Sequence, residues 1–332
     1  MTVSDIVAGL PSLRALVIGD ICLDRWCTYY PSAASPSRET GLNRIAVTST
    51  ECTPGGGGTV ANNLAAFGLA RVAVLGLVGD DGHGFELKRA LEQNGIATEC
   101  LIHSRDICTF TYSKLINGDT GIEDLPRVDF IFSRPVPVSL LDSMCHSLLE
   151  IHSEFDLILI ADQAEVQGEG AVTESVRDTL ARIGCEHPAK VLWADSRLHC
   201  ELFRHVNMKV NRREADAACR RAFGMVDYRR LQKLIGGRDL FVTDGPNQAL
   251  IETGCETIRV SPRRIDHPIN ICGAGDSFSA GTACAMALGA KAKDAAEFGS
   301  LVASITVMKP GTGTASRQEL LEQADLVAIG GQ

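Results

Sequence analysis

Gly273-Ala274-Gly275-Asp276-Ser277-Phe278 is the stretch whose residue types point most directly to chemistry. Its glycines let the backbone approach a ligand closely. The small-residue helix expected over Ser279–Leu288 then offers unpaired N–H groups and a positive dipole end, which suit a phosphate. Asp276 in that setting is either a general base or a helix cap, and caps are common. A second stretch, Pro54-Gly55-Gly56-Gly57-Gly58-Thr59-Val60-Ala61-Asn62-Asn63, leads into an amphipathic helix. It permits close approach of a polar ligand, or it is a flexible five-residue turn over 54–58. A third, Asn211-Arg212-Arg213-Glu214, follows the apolar run Val206–Val210. Asn and Glu three apart form a capping box, or place a carboxylate that holds Mg²⁺ or its water near phosphates.

Other standard chemistries find no residues. The chain has no Gly-Lys dipeptide and so no Walker loop; neither glycine stretch completes G-x-G-x-x-G before a helix, and G-x-S-x-G and H-E-x-x-H are missing. The eight histidines are scattered, and none of the twelve cysteines pair as C-x-x-C. Reduced thiols in apolar segments, such as Cys22, Cys272 and Cys284, are expected, in a cytoplasmic protein. Met1 to Pro11 lacks the basic start and apolar core of a secretory signal.

These residues need a frame, and the chain supplies one. Its 332 residues are 45% hydrophobic and 22% charged, an ordinary globular composition. No apolar run approaches the ~20 residues that cross a bilayer. With 32 Lys+Arg against 41 Asp+Glu the net charge is −9, which disfavours sequence-independent binding to nucleic acid. Apolar runs at Ala15–Ile18, Val72–Val78, Leu157–Ile160, Val191–Ala194 and Leu240–Thr243 read as strands covered on both faces, hence parallel. Helical spacing fills Val60–Phe67, Gly84–Gln93, Ser139–His152, Thr173–Ile183, Glu214–Ala222 and Asp227–Leu234. The alternation predicts an α/β fold with a doubly wound, mostly parallel sheet, and ligands bind outside the carboxyl ends of such strands. Two segments, about 24–53 and 100–132, break the pattern; both are expected to leave the sheet and pair into a small β-rich lid on one domain spanning 1–332.

Taken in order, Gly19-Asp20 with Asp24, Gly55-Gly56, Gly79-Asp80-Asp81-x-x-Gly84, Asn211-x-x-Glu214, Val242-Thr243-x-Gly245 and Gly273-Ala274-Gly275-Asp276 resemble the ribokinase-like (PfkB) carbohydrate kinase family from about Arg14 to Glu322. Within it, Gly19–Trp26, Ser35-Pro36, Arg127–Phe130 and Lys309–Thr314 look most like the kinase half of bifunctional heptose 7-phosphate kinase/adenylyltransferases. No adenylyltransferase half is expected in the sequence up to Gln332. The resemblance implies ATP-dependent phosphorylation of a hydroxyl on a sugar or sugar phosphate. It makes Asp276 the general base and the N–H groups of Gly273, Ala274 and Gly275 an anion hole. It assigns Asn211 and Glu214 to phosphates and Mg²⁺, with Glu214 the metal residue, directly or through water. Thr243 and Gly245 fall beside the nucleotide, and Asp24, Gly55 and Gly56 at the sugar. It also implies that the lid closes over the sugar and pairs two copies into a homodimer.

Some positions depart from that pattern. Thr59 stands where the family has a sugar-binding Asn, with Asn63 one turn on as a substitute; Asn270 replaces an Asp, Cys272 a Thr and Gln248 a Gly. Losing the Asp charge at 270 argues against a monovalent-cation site. Arg38 and Arg44 of the first lid segment are solvated charges or contacts for a substrate phosphate. The alternative to a kinase is a diverged sugar-phosphate or nucleotide binder of the same fold; a dinucleotide oxidoreductase fits poorly without its fingerprint.

Overall fold

Strands that are apolar on both sides require a core on each face, and the computed structural model, which describes residues 1–132, 134–164 and 170–329, has two. The strands in chain order are β1 Arg14–Gly19, β2 Ile21–Tyr29, β3 Ser35–Pro36, β4 Asn43–Arg44, β5 Val47–Gly56, β6 Arg71–Gly79, β7 Ile102–Ser104, β8 Thr111–Asn117, β9 Val128–Phe130, β10 Leu157–Asp162, β11 Val191–Ser196, β12 Asn207–Asn211, β13 Leu240–Thr243, β14 Ala249–Glu252 and β15 Thr257–Val260. The helices are α1 Val3–Gly9, α2 Gly57–Ala66, α3 Gly82–Gln93, α4 Val138–Ile151, α5 Glu174–Glu186, α6 Arg212–Phe223, α7 Tyr228–Leu234, α8 Ala274–Ala287, α9 Ala292–Thr306 and α10 Arg317–Ile329.

The main sheet has nine strands in the order β15-β14-β13-β12-β11-β10-β1-β6-β7. It is parallel from β7 to β13 and ends in the antiparallel strands β14 and β15. Period-two alternation splits each central strand between the cores. Val17, Leu157 and Leu159 join Val60, Leu64 and Phe278 of α2 and α8 on one face. Leu16, Ile18, Ile158 and Ile160 join Met144, Val176 and Leu180 of α4 and α5 on the other. The doubly wound, mostly parallel sheet is as the apolar runs predict.

A second sheet of four strands runs β5-β2-β8-β9, and β3 with β4 forms a separate hairpin. Its strands begin and end nearer the main sheet than the composition breaks indicated, because β2 opens at Ile21 and β5 continues through Gly56. Ile102–Ser104 lies in the main sheet beside β6, so the second excursion starts at Thr111.

The glycine run is not a flexible turn. Pro54–Gly56 completes β5 and Gly57–Gly58 opens α2, three residues before the expected start at Val60. Gly56, at φ +55°, makes the corner between them. A β-carbon on Gly57 would stand 2.7 Å from Ile21 Cδ1, and one on Gly58 2.5 Å from Pro54 Cβ. Packing, not mobility, explains the glycines. Gly58→Ala should therefore lower stability by about 2 kcal/mol through overpacking against a rigid proline, read from urea unfolding. A gain of about 1 kcal/mol, the helix-propensity effect of Gly→Ala, would show that the segment is slack.

Candidate active site

The carboxyl ends of the parallel strands carry a row of polar, mostly acidic groups. Asp20 follows β1, Asp162 closes β10, Asp195 lies near the end of β11 and Asn211 ends β12. Asp20 is buried and accepts from the Gln163 N–H at 2.8 Å and the Ala171 N–H at 2.7 Å. It thereby ties the crossing of β1 and β10, and burial pushes its pKa up in spite of those bonds. Asp162 accepts from the Ser196 hydroxyl at 2.6 Å. Both serve the framework beneath the site.

α8 starts at Ala274, five residues before the expected Ser279, so Asp276 lies in its first turn and Gly273 caps it at φ +79°. That conformation is open to glycine. A β-carbon at Gly273 would also stand 3.2 Å from Thr59 Cγ2 and 3.5 Å from Thr312 Cγ2, so α2 and the Lys309–Thr314 loop both press on this turn. Of the expected anion-hole donors, the Ala274 N–H is engaged by the Ile271 carbonyl at 3.2 Å. Asn270 braces the approach by accepting from the Cys272 N–H at 2.8 Å. Cys272 is exposed beside Gly273, not buried as its apolar neighbours suggested. All twelve cysteines are free.

Asp276 is half-buried and its carboxyl is pushed up to about 7. Desolvation is the main cause, followed by the like charge of Asp195; Lys209 and Arg197 pull the other way, and Asp24 adds a smaller push upward. Lys209 Nζ donates to Asp195 Oδ2 at 2.8 Å, and the Ser279 hydroxyl donates to the same oxygen at 3.3 Å. Asp195 and Lys209 are direct register partners on β11 and β12.

Asp24 points from β2 into the opening between the sheets. Burial raises its pKa, against Lys114, Arg127 and Arg197. A β-carbon on Gly55 would stand 2.8 Å from each of its carboxylate oxygens, so the glycine is what lets Asp24 lie across β5. Lys114 Nζ lies 4.1 Å above the Trp26 ring and 3.9 Å from Cys272 Sγ. Arg127 forks onto Asp129 at 2.6 and 2.7 Å and covers the Tyr112 ring. The cations acting on Asp24 are thus Lys114, Arg127 and Arg197. Arg44 instead donates to Ser35 at 2.9 Å on the outer hairpin, and Arg38 is exposed.

Asn211 and Glu214 form the capping box of α6: Asn211 Oδ1 accepts from the Glu214 N–H at 3.0 Å, and Glu214 Oε2 from the Asn211 N–H at 2.7 Å. Glu214 is raised by burial and by Asp195, with Lys209 and Arg197 opposing. Thr243 pairs with Asn211 across β12 and β13 and donates to the Val210 carbonyl at 3.3 Å. Gly245 turns the chain at φ +55°. A cavity of about 550 Å³ opens beside this turn, lined by Arg212, Asp244, Asn247, Gln248, Arg259 and Ser261 among others. Gln248 reaches across it to Ser261 Oγ at 3.3 Å.

The structure therefore gathers Asp276, Gly273, Gly275, Asn211, Glu214, Thr243, Gly245, Asp24, Gly55 and Gly56 along one edge. Thr59 is buried and bonds the Pro54 carbonyl at 3.3 Å, touching the site only through its methyl against Gly273. Asn63 is fully buried, its amide donating to the Thr59 carbonyl at 3.0 Å, while its Oδ1 is buried with no hydrogen-bond partner among the described residues. Sequence reasoning missed Asp195, Lys209, Arg197 and Lys114, charged groups that act on Asp276 or Asp24. A lysine inside the apolar run Met208-Lys209-Val210 was the available signal.

A doubly wound sheet with an acidic, glycine-rich helix start at its carboxyl edge is the arrangement expected from the resemblance to the ribokinase-like class. The chain belongs to the pfkB family of carbohydrate kinases, whose profile matches residues 13–319. It is similar to the "Bifunctional protein HldE" of a Nitratiruptor species, 28% identical over 320 residues, covering 93% of this chain and 64% of that one. A second protein of that name, from Desulfatibacillum aliphaticivorans, is 27% identical over 327 residues, 96% of this chain and 64% of that one. The chain thus spans less than two thirds of these relatives. Phosphofructokinase-2 of Escherichia coli, solved in complex with potassium, shares the fold at TM-score 0.70 and 17% identity, covering 95% of this chain and 99% of that one. Arabidopsis thaliana ribokinase, complexed with ribose and ATP, does so at TM-score 0.68 and 15% identity, over 94% and 99%.

The Asp276 carboxyl, at about 7 when folded against an ordinary 3.8, binds its proton more tightly in the native state. Its contribution to stability is full below the unfolded value and is lost as pH rises through about 7. Asp276→Asn should raise the unfolding midpoint at pH 8 by a few degrees and flatten its decline between pH 4 and pH 8. An unchanged slope would mean that the carboxylate is not desolvated.

Proposed function

We propose that the protein transfers the γ-phosphoryl group of ATP to a hydroxyl of a sugar phosphate. The observation that carries this reading is the charge layout of the opening. A proton-accepting Asp276 at about 7 feels the charge of Asp24, Lys114 and Arg127 act on Asp24, and Arg197 acts on both carboxylates. A neutral sugar needs the carboxylates; the added cations suit a substrate that brings its own phosphate.

In this reading Asp276 accepts the hydroxyl proton. The freed oxygen bonds to the γ-phosphorus while the bond from that phosphorus to the bridging oxygen breaks, and ADP leaves with the electron pair. The start of α8 stabilises the transferred group, since phosphoryl transfer relies on positioning and charge stabilisation. Asp24, with the Gly55-Gly56 corner, orients the sugar. Thr243 and Gly245 border the nucleotide, whose base and ribose fit the cavity of about 550 Å³.

The donor set suits Mg²⁺ held mainly by phosphates and water. Among the described residues no group of three His, Cys, Asp or Glu could hold a metal, and Glu214 is the carboxylate at hand. That matches the habit of Mg²⁺, which keeps several waters and takes one or two carboxylates. When bound, the ion neutralises phosphate charge.

The four-stranded sheet is the lid, excluding water from the transfer. Exposed Val47, Val128, Phe130 and Ile131 on and beside it suit a homodimer contact. No helix among the described residues is long and apolar enough to cross a membrane, and a cytoplasmic setting supplies ATP.

An ADP-release assay over a panel of sugars and sugar phosphates tests the reading. Asp276→Asn should cut kcat by about 10³-fold, the scale of general-base catalysis. Lys114→Gln and Arg127→Gln should raise KM for the phosphorylated acceptor by about tenfold each, equivalent to about 1.4 kcal/mol. Turnover surviving in Asp276→Asn would refute the base. Preference for neutral sugars would refute the acceptor class, and binding of ATP and sugar phosphate with no turnover would favour the diverged binder.

A further inference from the structure

Burial alone would push Lys209 towards the neutral amine, but Asp195, Asp276 and Glu214 outweigh it and hold the pKa above the usual lysine value. Lys209 is 7% exposed, between the fully buried Met208 and Val210, and is the one buried lysine or arginine among the described residues. Its Nζ lies 2.7 Å from where a β-carbon of Gly275 would stand. That point is the start of α8, whose dipole is positive there. Low dielectric and helix dipole both disfavour an ammonium in this position. Among the described residues Asp195 alone makes a direct ion pair with it, at 2.8 Å, and Ser279 helps to fix that carboxylate. A cation kept at a helix N-terminus is an arrangement that favours an arriving anion.

The groups acting on Asp276 complete the picture. Asp195 and Asp24 are negative, Lys209 and Arg197 positive. Lys209 and Asp195 therefore act on the base with opposite signs while being bound to each other.

We propose that Lys209 is a further charge-bearing residue of the phosphoryl-transfer site, set against Gly275 by Asp195, where it balances the charge of the transferring group and of Asp276. Asp195 is the positioning residue: it fixes the ammonium without needing to reach the reacting atoms. This rests on the kinase reading for the transfer step, but the effect on Asp276 does not.

The test separates the two. Carboxyl ¹³C titration of Asp276 in the free protein, assigned against Asp276→Asn, reads its pKa without any acceptor. Lys209→Met should move that pKa up and Asp195→Asn should move it down. A pair too far from the base to act on it predicts no such opposition; the kcat readout then separates a catalytic role from a purely electrostatic one. In the ADP-release assay, with the best sugar phosphate of the panel, Lys209→Met should lose about 100-fold in kcat, the scale of one lost transition-state donor. Its acid limb should shift to higher pH, and that of Asp195→Asn to lower pH. Shifts in the same direction, or none in folded variants, would overturn the proposal. If Lys209→Met does not fold, the sign of the Asp195→Asn shift decides alone. Absence of turnover in the unsubstituted protein would sink the kinase reading and leave the titration result standing.

Discussion

The ion pair between Lys209 and Asp195 joins the scaffold to the site. It is made by direct neighbours on adjacent parallel strands, with both side chains about one-tenth exposed. Such a pair is a poor source of stability, because removing two charges from water costs about as much as their attraction returns. Its geometric consequence is larger. It locks a positive charge beneath Gly275 and a negative one beside Asp276, at a point where β11, β12 and α8 meet. Hydrophobic residues of similar size would pack this corner equally well and leave Asp276 with only burial to set its proton affinity.

Around that fixed pair, closeness of backbone decides what the site can hold. Gly55 lets the Asp24 carboxylate lie across β5, and Gly57 and Gly58 let α2 begin against Ile21 and Pro54. Thr59 then meets Gly273 by its methyl group, so the start of α2 and the start of α8 touch. The sugar side and the phosphoryl side are thereby held together by packed small residues. A loop would not hold Asp24 where its charge raises the proton affinity of Asp276.

How much of this was legible follows from what kind of signal each part leaves. The strands Leu157–Asp162 and Val191–Ser196 were plain because both-faced burial writes continuous apolar runs. The starts of α2 and α8 were not, since glycine and alanine carry no periodicity and glycine argues locally against helix. The capping box at Asn211 and Glu214 was legible as local chemistry, yet the same atoms serve either cap or phosphate, and spacing cannot separate the two. The pairing of Asp195 with Lys209 could not be read at all. The two lie fourteen positions apart and meet only through parallel register. Lys114 was hidden for the same reason, its strand partner Trp26 being set by the second sheet.

The net charge of −9 sharpens what those cations do. Over distances beyond the Debye length, about 8 Å in physiological salt, an acidic protein does not draw in anionic ligands. Inside the cleft the balance reverses, because Lys114, Arg127, Arg197 and Lys209 all act on the carboxylates that line it. Lys209 is buried and Lys114 partly so, where screening is weak and an attraction is worth several times its value in water, whereas Arg127 and Arg197 are exposed and act more weakly. These cations also make the cleft tolerable when empty, since each offsets a carboxylate that burial would otherwise keep protonated. A phosphorylated ligand would enter a site whose negative groups are already partly balanced. Asp276 stays close to neutrality in its proton affinity for the same reason: desolvation and Asp195 raise it, Lys209 and Arg197 lower it, and the two tendencies meet near the pH at which a general base is most useful.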